Sequence, residues 1–373
     1  MTATPEKTDV FVVGGGPAGL AAAIAARLKG FDVVVADGGC PPIDKTCGEG
    51  LMPDSFDALR QIGVRFETDQ TFAFHGIRFL GDGVSVEARF PSGPAVGMRR
   101  LLLHQALIDR AVEVGVNLSW GTRVVGCADG VVSLDNRTVR CRWAIGADGQ
   151  NSRVSRWAEL DAFRRESFRF GFRQHYRISP WTDHVEIYWG SSSQVYVTPV
   201  SADEVCVALI TRDGRMRLQR ALPRFPELSR RLANASTSSA ERGAVTASRS
   251  LRRVYRESTI LIGDASGSVD AITGEGMSLA FHQAVALADA LQSGDVGAYQ
   301  AEHRRLARRP AMMASLLLSL DRSPALRRRV LRGLAAEPAI FSKLLAMHVG
   351  RISPSDFLMH GMLPLGRQIL SAS

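Results

Sequence analysis

The sequence predicts an α/β fold, α+β overall, in which a Rossmann-like dinucleotide-binding domain is interrupted by an antiparallel β-sheet and followed by a helical tail. Three observations carry this. An apolar run at 9–13 feeds a glycine turn and then an alanine-rich helix. Two more glycine turns, at 146 and 263, each follow a strand-like run. The stretches between them alternate apolar and polar residues with the period of two that marks strands. The expected boundaries are 1–75, 98–160 and 255–310 for the nucleotide domain, 76–97 and 161–254 for the inserted substrate-binding sheet, and 311–373 for the helices.

Taken in order, DVFVV is a buried strand, GGGPAG a turn, LAAAIAARLKG a helix closed by Gly30, and DVVVAD a second strand, which together make one βαβ unit. A hairpin is expected at 75–90 around Gly81, Asp82 and Gly83, where Val84, Val86 and Ala88 alternate with polar residues. LLLHQALIDRAVEVG is helical, and two strand runs then lead to GADGQNS at 146–152. Between 168 and 211 four alternating runs continue the inserted sheet. STILIGDAS is a strand that leads to a helix at about 274–291, and from Asp295 onward the pattern is helical, with Met312, Met313, Leu316, Leu317 and Leu320 on one stripe.

Composition is that of a globular protein with enough apolar content, 45%, for a sizeable core. The net charge of +9 comes from arginine, since only four lysines occur, and the arginines are spread along the chain as on a solvated surface, so no nucleic-acid partner is expected. The tail is the exception, with nine arginines crowded between 304 and 332, and a peripheral membrane contact or a lid over a hydrophobic substrate channel is the alternative to a helical appendage with its arginines in water. No apolar run approaches the roughly 20 residues of a membrane span. No signal-peptide pattern opens the chain, and five cysteines at irregular positions give neither a disulfide framework nor a zinc knuckle, so a cytoplasmic setting is expected. His75, His104, His282, His303, His348 and His360 show no ligand spacing, and no metal is expected.

The three glycine motifs fit one flavin dinucleotide. In the first, Gly14 permits the tight turn, Gly16 lets backbone approach a pyrophosphate, and Gly19 lets helix and strand pack closely, with Pro17 and Ala18 opening the helix whose N–H groups face the phosphates. Asp37 ends the next strand, placed to accept from ribose hydroxyls.

With these residues in view, the chain resembles the para-hydroxybenzoate hydroxylase and geranylgeranyl reductase superfamily of FAD-dependent oxidoreductases over about residues 8–295. The resemblance implies FAD, with NADH or NADPH as a transient electron donor. It implies that Asp148 and Gly149 lie near the pyrophosphate and that Gly263 and Asp264 hold the ribityl and phosphate region. It makes Gly274, Glu275, Gly276 and Met277 the start of a helix whose dipole would stabilise the reduced flavin. Arg100 matches the family's FAD-contacting arginine, with Arg99 as the alternative. The segment KTCGEG is similar to the Cys-Gly loop of geranylgeranyl reductases, which would put Gly48 beside the cofactor and Cys47 there as a proton donor or polar contact; the other reading makes Cys47 a small packing residue.

The family implies an enzyme acting on a small molecule. The leading expectation is an FAD- and NAD(P)H-dependent monooxygenase that hydroxylates an aromatic or polyketide-like compound, of the secondary-metabolite kind, through a flavin C(4a)-hydroperoxide, with His175 and Tyr196 on the inserted sheet orienting the substrate. The alternative is a flavin-dependent C=C reductase of a prenyl-like lipid. A halogenase ranks lower, because the Trp-x-Trp-x-Ile-Pro motif is absent, and so does a non-catalytic adaptor. Departures cut both ways: YVTPV at 196–200 lacks the Trp and Phe of the reductase motif, and Ser266, Gly267 and Ala271 replace the hydroxylases' usual third-motif residues.

Overall fold

The computed structural model describes residues 5–165 and 167–357. The first four residues and the end of the expected tail, 358–373 with His360, lie outside the described residues.

The main strands are β1 (Lys7–Val13), β2 (Val33–Asp37), β3 (Gly76–Gly81), β4 (Val84–Arg89), β5 (Asn117–Trp120), β6 (Thr138–Gly146), β7 (Arg169–Arg177), β8 (His184–Trp189), β9 (Ser193–Ser201), β10 (Glu204–Thr211) and β11 (Thr259–Leu261). The main helices are α1 (Pro17–Leu28), α2 (Arg100–Glu113), α3 (Gly276–Ser293), α4 (Val296–Arg322), α5 (Pro324–Ala336) and α6 (Pro338–His348).

One sheet runs β11-β6-β1-β2-β5, all parallel, with Val12 opposite Ile145 and Ile145 opposite Ile260. Helices cover it, so its strands are apolar on both faces: Val10, Phe11 and Val12 are all fully buried. Helix α1 starts where Gly16 caps it and Pro17 occupies its first turn, and it packs against α3. These strands end together at the glycine turns, where a doubly wound sheet places its ligand.

The second sheet runs β7-β10-β9-β8-β3-β4. It departs from the expected antiparallel pattern at one pair, β8 with β3, which is parallel with Ile187 opposite Phe79. That pair joins the two separate insertions rather than strands linked by a turn, so no hairpin imposes antiparallel pairing. The hairpin at Asp82–Gly83 forms as expected.

Helices α4, α5 and α6 pack on the β3-β4-β8 end of this sheet, with Met313, Leu317, Leu331 and Phe341 in one cluster with Phe79, Ile187 and Trp189. The expected stripe is corrected here. Met313, Leu317 and Leu320 are buried, whereas Met312 and Leu316 are each 38% exposed. The buried positions continue through Ala314 and Leu318, which turns the apolar face by one residue and leaves 312 and 316 on the outside.

Candidate active site

The glycine motifs meet through backbone contact. Gly14 has φ +110, and a Cβ there would lie 2.5 Å from the Ala147 carbonyl oxygen, so the first turn packs directly on the second. A Cβ on Gly263 would lie 2.7 Å from the Ala18 Cβ, bringing the third motif onto the first. His104 on α2 fixes the turn from behind, its Nε2 2.8 Å from the Gly15 oxygen, and the Gly263 N–H donates to Gln283 on α3.

These elements border a cavity of about 950 Å³ that runs from the start of α1 to the tail helices. Of the expected cofactor residues, Gly16, Pro17, Ala18, Gly48, Arg100, Asp148, Gly149, Gly263, Asp264, Gly274, Gly276 and Met277 line it, as do Cys47 and Tyr196. Gly14, Gly19, Asp37, Glu275 and His175 do not. Asp37 sits at the end of β2 with its carboxylate accepting from the Gly15 and Gly39 N–H groups at 2.7 and 2.8 Å. The neighbouring arginines differ in their partners: Arg99 pairs with Glu204 at 2.8 Å, whereas Arg100 lines the cavity.

The lining fits a flavin dinucleotide. A Cβ on Gly16, Gly48 or Gly276 would meet nothing within 4 Å, so the backbone there is bare toward the cavity. Arg100 Nε and Thr46 Oγ1 are buried donors without a hydrogen-bond partner, and Asp148 keeps one oxygen, Oδ1, unpartnered while Oδ2 accepts from the Arg153 and Val154 N–H groups. Such groups are costly to leave unsatisfied and match phosphate and hydroxyl groups of a ligand. Asp264 opens into the cavity, and the protein around it pushes its carboxyl up, Arg100 opposing. Lys45, the first residue of KTCGEG, also lines this region. Its only signal in the sequence is its place two residues before Cys47.

The Cys47 loop lies along one face of β7. Alternation puts residues 169, 171, 173 and 175 on that face. Arg169 bonds Asp270 of the third motif, and Gly171 leaves room for Thr46. Arg173 donates to Asp44 at 2.5 Å, and His175 Nε2 lies 2.5 Å from Glu49 Oε2. Cys47 Sγ is 4.0 Å from Met277 Sδ, and Arg100 Nη1 is 3.9 Å from the same sulfur, which places the thiol at the start of α3. The ligand atoms of Glu49, His175 and Cys206 all fall within 4.8 Å, a grouping that sequence spacing does not reveal. With Arg173 Nη1 3.2 Å from His175 Nδ1, this is a hydrogen-bonded ionic cluster already supplied with its cation. Burial pushes the Cys141 thiol up to about 12 and also raises Cys127 and Cys206, in keeping with inert packing roles.

Glu275 turns away from the cavity toward the tail. Burial pushes its carboxyl up to about 8 despite Arg309 at 3.4 Å, and His348 on α6, held by burial down to about 4, lies 3.5 Å from it. Arg309 also pairs with Asp54 at 2.7 Å, so the helix that leads into the tail is tied both to Asp54 and to Glu275, the residue before α3.

The profile of a family described as FAD binding domain matches residues 7–306, which is most of the described chain. The chain belongs to this family. It is an FAD-dependent oxidoreductase, similar to the menaquinone reductase of Mycolicibacterium smegmatis, with 30% identity over 356 residues, 85% of this chain and 86% of that protein. Similarity to the rifampicin monooxygenase of Rhodococcus hoagii is 29% over 169 residues, 42% of this chain and 34% of that protein. A solved flavin-dependent brominase shares the fold with a TM-score of 0.81 at 20% identity, covering 97% of this chain and 100% of that one. No described helix is long and apolar enough to cross a membrane.

Proposed function

We propose that this flavoprotein reduces a carbon–carbon double bond in an apolar, prenyl-like molecule, with NADH or NADPH as the electron donor. The observation that carries this is the far end of the cavity. Beyond Cys47 and Met277 its walls are Ile77, Phe79, Val185 and Ile187 from the sheet and Met313, Leu317, Phe341 and Leu344 from the tail. A wall of this kind suits a hydrocarbon chain and excludes water. Both residues expected to orient a phenol or carbonyl are engaged within the protein: the Tyr196 hydroxyl donates to the Ile272 oxygen at 2.9 Å, and His175 is fully buried behind the loop. The match to a protein named as a quinone reductase spans most of the chain, whereas the match to a named monooxygenase spans less than half.

FAD, held by Gly16, Arg100, Asp148, Asp264 and the start of α3, would supply a hydride equivalent. The residues of the chain do the rest. The apolar walls hold the alkene in a dry site, and Cys47 gives a proton to the second carbon and regains one from water, so that the bond takes up one hydride and one proton. The basic outer face of the tail, where Met312, Leu316 and Leu326 are exposed beside arginines, suits collection of such a substrate from an anionic membrane surface.

The second reading is hydroxylation, favoured by the match to a named monooxygenase over 169 residues. The two separate in one experiment. Holoenzyme incubated with a menaquinone bearing an unsaturated side chain, once anaerobically with chemical reductant and once in air with NADPH, is followed by product mass after the ring has been reoxidised to the quinone, so that only side-chain hydrogens are counted. We expect a gain of two hydrogens in both. Product only in air, carrying one added oxygen, overturns the reductase reading.

A further inference from the structure

We propose that Arg173 and His175 form a two-point clamp that positions the Cys47 loop, with Glu49 the joint through which the substrate sheet fixes both the thiol and the start of α2. They are positioning residues for the site proposed above, and the clamp does not depend on which reaction that site performs.

The geometry is specific. Arg173 and His175 lie two apart on β7, so both project from the same face. Arg173 holds Asp44 and His175 holds Glu49, the two ends of the segment that carries Cys47, and the pair is itself joined at 3.2 Å. Between the ends, Lys45, Thr46, Cys47 and Gly48 all line the cavity. Glu49 makes four connections: its carboxylate accepts from His175 and from the Arg100 N–H at 3.0 Å, its N–H donates to Cys47 Sγ at 3.3 Å, and its carbonyl accepts from Met98. It does so with φ +60, a conformation uncommon for glutamate. Burying Glu49, Arg173 and His175 almost completely is a poor way to gain stability, since desolvation offsets the attraction. What the cluster provides is position.

Partners also fix the state of the histidine. Arg173 has only donors, so His175 Nδ1 accepts from it and from the Ser239 hydroxyl at 2.7 Å, which leaves the proton on Nε2, where it is donated to Glu49. His175 thus holds Glu49 through Nε2 while Nδ1 faces Arg173 and Ser239. Glutamine at 175 would present an N–H at the same reach, and leucine would not.

The test uses holoenzyme variants His175→Gln and His175→Leu, with FAD content checked first. Iodoacetamide labelling of Cys47 is read peptide by peptide, so that exposed Cys40 does not contribute, and kcat and KM are measured alongside. For His175→Leu we expect Cys47 labelling to quicken about fivefold and kcat to fall about tenfold with KM within about twofold. His175→Gln should stay within about twofold of the parent in all three. Leu with parental labelling and kcat, or Gln no better than Leu, overturns the clamp. If the Leu variant does not fold, Glu49→Gln carries the same test, because it keeps volume but weakens the two contacts made by the carboxylate, to His175 and to the Arg100 N–H; parental labelling there overturns the proposal equally. The labelling needs no substrate, so it stands or falls separately from the reductase reading.

Discussion

Where the nucleotide motifs meet, backbone touches backbone; where the substrate sheet meets the Cys47 loop, charged side chains meet in the dry. On the first side Gly14, Gly19 and Gly263 allow approaches that no Cβ would permit. On the second, Arg169 with Asp270, Arg173 with Asp44 and His175 with Glu49 tie β7 to the flavin side. Backbone packing leaves a spacing pattern in the sequence. Side-chain pairs more than 100 residues apart leave none, and they leave the substrate side adjustable by substitution where the cofactor side is not.

The sharpest way to break that contrast is within the first motif. A Cβ on Gly19 would lie 1.9 Å from the Gly14 oxygen, so Gly19→Val should lose the turn itself, costing about 3 kcal/mol or more in urea unfolding. Gly16 has open space instead. Gly16→Val should unfold within about 0.5 kcal/mol of the parent as apoprotein yet retain almost no FAD on gel filtration. Full FAD content in that variant would move the pyrophosphate elsewhere.

On the other side, Arg169→Leu removes one partner of a fully buried pair and strands Asp270, which also caps the short turn before Gly274 by accepting from the Ile272 N–H. The expected cost is about 3–5 kcal/mol, most of it recovered when Asp270 is also made apolar. A double mutant as weak as the single would show that the site needs the ion pair itself.

Much of the fold was legible because period and glycine placement are local signals. The βαβ unit, the hairpin at Asp82–Gly83 and the helical tail all follow from them. The parallel β8-β3 pair was not legible, because pairing across two insertions depends on how the nucleotide domain closes. Of the site, the backbone cradle was legible and the clamp was not, although RFGFRQHY shows its alternation plainly; nothing in the sequence says that Arg173 and His175 face partners 129 and 126 residues earlier. The tail's part in the cavity was open in the sequence only as an alternative, a lid over a hydrophobic channel, since Leu317, Phe341 and Leu344 look like ordinary core.

The latch between Glu275 and the tail offers a smaller effect with a definite sign. A carboxyl held at about 8 in the folded protein contributes stability that is complete below its ordinary value of 4.5 and lost as pH rises through about 8. His348, held down to about 4, acts in the opposite sense: its contribution is complete above 6.5 and lost as pH falls toward about 4. Between 4.5 and 6.5 the two oppose each other, and between 6.5 and 8 Glu275 acts alone. Stability of the parent relative to Glu275→Gln should therefore fall by about 2 kcal/mol from pH 6.5 to 8. Parallel curves would mean that Arg309 keeps Glu275 ionised throughout.

The mildest change probes the chamber where sheet and tail meet. Leu344 lines the cavity from α6, so Leu344→Trp can place its ring in open space rather than in packed core, and stability should change by less than about 1 kcal/mol. The ring would shorten the apolar end and leave the Cys47 end untouched. For a long-chain prenyl substrate KM should rise about tenfold, and for a short-chain analogue it should stay within about twofold. FAD content should not move, because Leu344 lies on the tail side of the cavity, beyond the family's matched residues 7–306. An equal rise for both chain lengths would place the hydrocarbon elsewhere, and the substrate side would then share the cofactor side's rigidity, because a distant wall would be acting on the flavin end through the packed tail.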